Sequence, residues 1–138
     1  MSEHKQAPIY FEDGAIFEVD EKLQSLIQFY VDNGFETFNS CQDNVRGTTW
    51  IQYELDDWRI ITDIAFRTED RELYDYIVES CEVLLLSSED GYLDENDEYY
   101  LASEELIWSA SVRFPKEDLP YFEELIRNTI IFSNEEDE

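Results

Sequence analysis

Two stretches of the chain alternate between apolar and polar positions. Thr49, Ile51, Tyr53 and Leu55 share one side of residues 48–55, with Trp50, Gln52 and Glu54 on the other. Leu106, Trp108, Ala110, Val112 and Phe114 do the same over 106–114, until Pro115 stops the run. Side chains alternate across a strand, so a period of two predicts strands with one face in the core. Elsewhere the period lengthens to that of a helix. Leu23, Leu26, Ile27 and Tyr30 recur at i, i+3, i+4 and i+7, which predicts a helix over 21–33, capped by Asp20 and left at Gly34. Leu73, Tyr76 and Ile77 mark the inner face of another, capped by Thr68 with Glu69 and Asp70 in its first turn. Phe122, Leu125, Ile126 and Thr129 mark a final helix, capped by Asp118 and carrying Pro120 where a first turn tolerates it.

Weaker signals fill the gaps. Residues 9–19 read as a hairpin turning at Asp13-Gly14, and 35–40 as a short strand. Asp56 and Asp57 open a short helix through Ile60, Ile61 and Ile64 to Arg67; its β-branched residues also suit a strand. Residues 82–87 read as a buried strand, and Asp90-Gly91 begins a polar loop or a loose strand pair. The expected fold is therefore α+β, a single domain with a mixed or antiparallel β-sheet packed against three to four helices, mainly on one face. Residues 1–8 are expected to form a flexible arm, 9–132 the globular domain, and 133–138 an acidic tail that frays.

Composition agrees that the chain folds. Of its 138 residues, 43% are hydrophobic and 15% aromatic, a supply that disordered acidic proteins lack. Cys41 and Cys81 are the only cysteines, and their spacing reads as reduced thiols in a cytoplasmic protein. The stretch from Met1 to Pro8 is polar and has no apolar signal core. The longest apolar run, 83–86, is far short of a membrane span, and anionic lipid would repel the chain.

Charge changes the picture most. Thirty-five acids face nine bases, for a net charge of −26. Like charges at this density destabilise a compact state, above all at low salt, where the screening length is roughly 30 Å at 0.01 M. Adaptation to high salt would favour Ala, Gly and Val, yet the chain has five Ala and four Gly against twelve Ile, nine Phe and nine Tyr. The acids are therefore read as a surface for recognition.

Catalytic chemistry finds little support. His4 is the only histidine, which removes histidine-based triads and dyads and most transition-metal sites. Cys41, in Ser40-Cys41-Gln42-Asp43-Asn44, would need a base and a positive field to act as a thiolate; Arg46 is near, but the overall field opposes it. Gly14, Gly34, Gly47 and Gly91 form no phosphate-binding spacing. Asp94, Asn96, Glu98 and Glu105 fall at calcium-loop positions, but Tyr99 stands where that loop needs glycine, leaving weak, nonspecific divalent binding as the metal reading. No enzyme, cofactor or metal site is expected. Direct nucleic-acid binding is also excluded, since it needs clustered Lys and Arg.

The inverse role fits better. Proteins grip nucleic acids largely through phosphates, and a folded body presenting rows of carboxylates can fill the same groove. Glu72, Asp75 and Glu79 make one helical stripe, with neighbours at about 5–6 Å. Asp90, Asp94, Glu95, Asp97, Glu98, Glu104 and Glu105 make a second patch, with Tyr92, Tyr99 and Tyr100 among them to stand in for bases. In charge, size and lack of catalytic residues the chain resembles acidic decoy inhibitors such as phage anti-restriction and anti-CRISPR proteins and glycosylase inhibitors. The resemblance covers no motif and carries over no residue. It implies a non-enzymatic inhibitor, monomeric or dimeric, acting on a basic nucleic-acid-handling protein in the cytoplasm, or host cytoplasm if phage-encoded. The alternative is an acidic interaction domain (an immunity protein, adaptor or chaperone) for a basic partner without mimicry.

Overall fold

The computed structural model describes residues 5–44, 47–87 and 108–136. Strands β1 (Gln6–Tyr10) and β2 (Ile16–Asp20) form an antiparallel hairpin through the Asp13-Gly14 turn. A 3-10 turn over Glu21–Leu23 leads into α1 (Gln24–Asp32). Next come β3 (Thr37–Asn44), β4 (Thr48–Glu54), α2 (Leu55–Arg67) and α3 (Glu72–Ser80). Then follow β5 (Glu82–Ser87), β6 (Trp108–Pro115), a second 3-10 turn and α4 (Leu119–Glu136). The fold is α+β, with a two-stranded sheet and a four-stranded sheet in the order β3-β4-β6-β5. Every pairing among the described strands is antiparallel, which resolves the expected choice between mixed and antiparallel.

The two alternating stretches pair with each other. Thr49, Ile51 and Tyr53 of β4 lie opposite Phe114, Val112 and Ala110 of β6, and all six are buried. Each helix then sends an aromatic ring onto this row. Tyr30 of α1 meets Tyr53 edge-on at 5.3 Å between centroids, and Trp58 of α2 meets it at 4.7 Å. Tyr76 of α3 and Phe122 of α4 pack on Phe114 at 6.4 and 4.4 Å. The four described helices therefore cover one face of the sheet. The opposite face is built from the other residues of the same strands: Trp50 Nε1 donates to Ser111 Oγ at 2.7 Å, and Gln52 Nε2 to Ser109 Oγ at 2.9 Å.

The exit from α1 shows how a local signal sets the path. Gly34 has φ +81°, its N–H reaches the Val31 carbonyl, and the Phe35 N–H reaches the Tyr30 carbonyl at 2.8 Å. These are the paired hydrogen bonds of a glycine-ended helix, closed by the Phe35 ring against Tyr30 at 6.2 Å.

Several expectations need correction. β1 starts at Gln6, inside the stretch read as an arm, and Glu21 N–H bonds the Lys5 carbonyl. α4 runs to Glu136, into the stretch read as a tail. Asp20 does not cap its helix through its side chain; its carboxylate accepts instead from the Gln6 amide and the Gln42 N–H, tying the hairpin to β3. Leu55 begins α2 instead of ending β4, and the cap of α2 is Glu54, which accepts from the N–H groups of Asp56 and Asp57. Thr68 ends α2 and bonds back to the Ile64 carbonyl at 2.8 Å. α3 begins after Arg71 at φ +52°, with Asp70 accepting from the Glu72 N–H. Ile60 points outward while Trp58, Ile61 and Ala65 form the inner face of α2. β5 is a strand as expected, yet it is not buried: Val83, Leu84 and Leu85 expose 40, 61 and 54% of their surface at the edge of the described sheet.

Candidate protein-interaction face

Among the described residues, α3 carries an acidic surface whose direction is set by its inner face. Its inner face is fixed by Leu73, Tyr76 and Ile77, all buried. Helical geometry then turns Glu72, Asp75 and Glu79 outward, and all three are exposed. Glu69 and Asp70, in the turn that precedes the helix, are exposed as well and extend the stripe. Neighbours at i+3 and i+4 place the three helical acids about 5–6 Å apart at Cβ. Arg71 is the one base between residues 69 and 79, and its guanidinium lies 4.5 Å above the Phe66 ring. Between α4 and the Thr68–Glu72 turn lies a cavity of about 430 Å³, with Glu69, Asp70 and Glu72 on one wall and Asn128 and Thr129 on the other.

Several bases are engaged locally. Arg67 pairs with Asp63 at 3.0 Å, Lys116 with Asp43 at 3.1 Å, and Arg127 with Glu123 at 2.8 Å. Arg127 also donates to the Ser25 carbonyl and hydroxyl, joining α4 to α1. The exposed pairs Arg67–Asp63 and Lys116–Asp43 contribute little stability, about 0–1 kcal/mol each, whereas Arg127 and Glu123 are half-buried.

Thirteen residues are candidates for partner contact from the sequence. The structure brings Glu72, Asp75 and Glu79 together on one exposed helix face. Asp90, Tyr92, Asp94, Glu95, Asp97, Glu98, Tyr99, Tyr100, Glu104 and Glu105 lie outside the described residues, as does the calcium-loop register. Glu69 and Asp70, expected in the first turn of this helix, precede α3 and are exposed.

The Cys81 thiol differs from a nucleophilic one. Burial, with the Asp118 charge adding to it, pushes the Cys81 thiol up to about 12, which keeps it protonated near neutrality. Among the described residues, no group of three or more His, Cys, Asp or Glu side chains is placed to hold a metal ion. No helix among them is long and apolar enough to cross a membrane.

A second feature went unread in the sequence. Phe11, Phe17, Phe35 and Phe38 converge on a groove of about 470 Å³, with Val31 and Glu36 in its wall. The density of phenylalanine near the hairpin and the α1 exit was the available signal, but only the packing of β2 beside β3 brings the four rings together. Comparison with protein-family models, curated proteins and solved structures found no match to this chain.

Proposed function

We propose that this chain is a non-enzymatic acidic inhibitor or regulator that fills a basic groove of a nucleic-acid-handling protein, presenting carboxylates where phosphates would lie. The observation that carries the reading is the exposed run Glu69, Asp70, Glu72, Asp75 and Glu79 on α3 and its lead-in turn, on a well-packed body with net charge −26. The sequence-assigned acids from Asp90 to Glu105 belong to the same reading. Charge complementarity of this kind gives fast, salt-sensitive association. The target is a basic cytoplasmic protein, and the mode is that of anti-restriction or anti-CRISPR decoys.

The test is competition. A basic protein captured at low salt should lose its DNA or RNA when this chain binds, and the E72Q/D75N/E79Q variant should bind less tightly with a shallower salt dependence. Unchanged affinity and unchanged salt slope in that variant would remove α3 from the interface.

A second reading is an acidic interaction domain that binds a basic partner without mimicry, as an immunity protein or adaptor does. The phenylalanine groove favours it, because apolar rings select protein side chains and not phosphate-binding geometry. A stable ternary complex of this chain, its partner and the partner's nucleic acid would select this second reading.

A further inference from the structure

Phe11 and Phe17 stand on either side of the Asp13-Gly14 turn, with ring centroids 5.3 Å apart. Phe35 follows the glycine exit of α1, and Phe38 is the second residue of β3. Phe17 and Phe35 pack against the core, while Phe11 and Phe38 keep 40 and 44% of their surface exposed. Glu36 is exposed in the groove wall, and its own N–H is held by Asp57 Oδ2 at 2.8 Å. Glu12, Asp13 and Asp32 adjoin the lining residues along the chain. The described lining contains no Lys or Arg.

The protein already shows what such rings accept. Arg71 lies over Phe66 at 4.5 Å, Arg127 over Phe29 at 4.8 Å, and Arg113 over Trp50 at 5.4 Å. A guanidinium is weakly hydrated and planar, so it stacks on aromatic faces more readily than an ammonium, while its methylene stem buries against apolar surface. The groove offers rings and a carboxylate together and supplies no cation of its own among the described lining residues. A second copy of this chain would bring its own excess of carboxylates against the same rim.

We propose that the groove receives arginine side chains from a basic segment of the partner protein, with their stems against the phenylalanine rings and their guanidinium groups at Glu36. The inference rests on the reading of this chain as an acidic binder of basic proteins and adds the side chain that anchors the partner.

The test titrates the full chain with octa-arginine and with octa-lysine, following phenylalanine ring signals by NMR and affinity by calorimetry, at about 0.15 M salt to screen diffuse attraction. Octa-arginine should shift the ring signals of Phe11 and Phe38, octa-lysine should shift them less, and F11S/F38S should weaken octa-arginine binding about tenfold. The single exposed change Glu36→Gln should weaken it about threefold and gives an independent measurement if the double variant folds poorly. Ring signals that stay still while octa-arginine binds would overturn the proposal, and equal effects of the two peptides would overturn the arginine preference. The E72Q/D75N/E79Q variant separates the two ideas. A loss there with none in the groove variants removes the groove and leaves the acidic-binder reading, whereas no loss in any variant removes both.

Discussion

The hydroxyls of Tyr30 and Tyr53 meet at 2.7 Å inside the core, one carried by α1 and the other by β4. Both side chains are fully buried, and burial raises both phenols well above their ordinary range, so each is a neutral donor-acceptor. Each hydroxyl satisfies the other where water does not reach. Tyr30→Phe or Tyr53→Phe alone should therefore cost about 1–3 kcal/mol, because the surviving hydroxyl loses its partner. The double change should cost clearly less than the sum of the two, measured by urea unfolding.

The exposure of β5 separates two apolar residues that look alike in the sequence. Ile51 is fully buried in β4, whereas Leu84 is 61% exposed in β5. Ile51→Ala should destabilise by about 2–5 kcal/mol, the usual cost of a cavity in a packed core. Leu84→Thr should change stability by no more than about 0.5 kcal/mol. Equal losses at the two positions in chemical denaturation would contradict the edge placement of β5.

Self-repulsion across so acidic a surface predicts that added salt stabilises the fold. Raising sodium chloride from about 0.01 to 0.15 M shortens the screening length from roughly 30 to 8 Å, and the melting temperature should rise. The E72Q/D75N/E79Q variant should start from a higher melting temperature at low salt and gain less from added salt. A melting temperature independent of salt in the parent chain would show that the carboxylates do not strain the fold.

Cys81 gives a pH dependence whose sign is fixed by its environment. Its thiol is raised to about 12 in the folded protein by burial first and by Asp118 second. An unfolded thiol titrates near 8.5. The folded state therefore holds its proton more tightly, and the resulting stability is fully present below about pH 8.5. It declines as pH rises toward the folded value, by at most about 1.4 kcal/mol per pH unit. Cys81→Ala should flatten the onset of this decline between about pH 9 and 10. Iodoacetamide should correspondingly modify Cys81 at pH 8 more slowly than it modifies a free thiol.

Much of the architecture was legible because periodicity is a direct projection of burial. The alternation in 48–54 became β4 with Thr49, Ile51 and Tyr53 buried, and the last helix buries Phe122, Leu125, Ile126 and Thr129 as its spacing requires. Caps were less legible. Asp20 and Thr68 have the chemistry of helix caps, but a carboxylate or hydroxyl takes whichever donor or carbonyl the packed chain brings nearest. For Asp20 that was the hairpin and β3, and for Thr68 the preceding turn of α2. Of the candidate binding surface, the α3 stripe was legible because the inner residues Leu73, Tyr76 and Ile77 fix the opposite face of the same helix. The phenylalanine groove was not, since Phe11 and Phe17 belong to the hairpin and Phe35 and Phe38 to the entry of β3, and neither segment's pattern says that the two meet.

By itself, the order of residues determined that the chain folds as α+β, that Tyr30, Tyr53 and Phe114 belong inside, and that an excess of carboxylates must cover the outside. Each of these follows from local period or from total charge, which do not depend on which segments meet. Tertiary structure alone decided that β4 lies beside β6, that apolar β5 lies at the edge of the described sheet with Leu84 exposed, and that the phenylalanines of the hairpin and of residues 35–38 share one groove. Such outcomes depend on contacts between segments far apart in sequence, and burial at an edge or in a groove is a property of the neighbours and not of the residue.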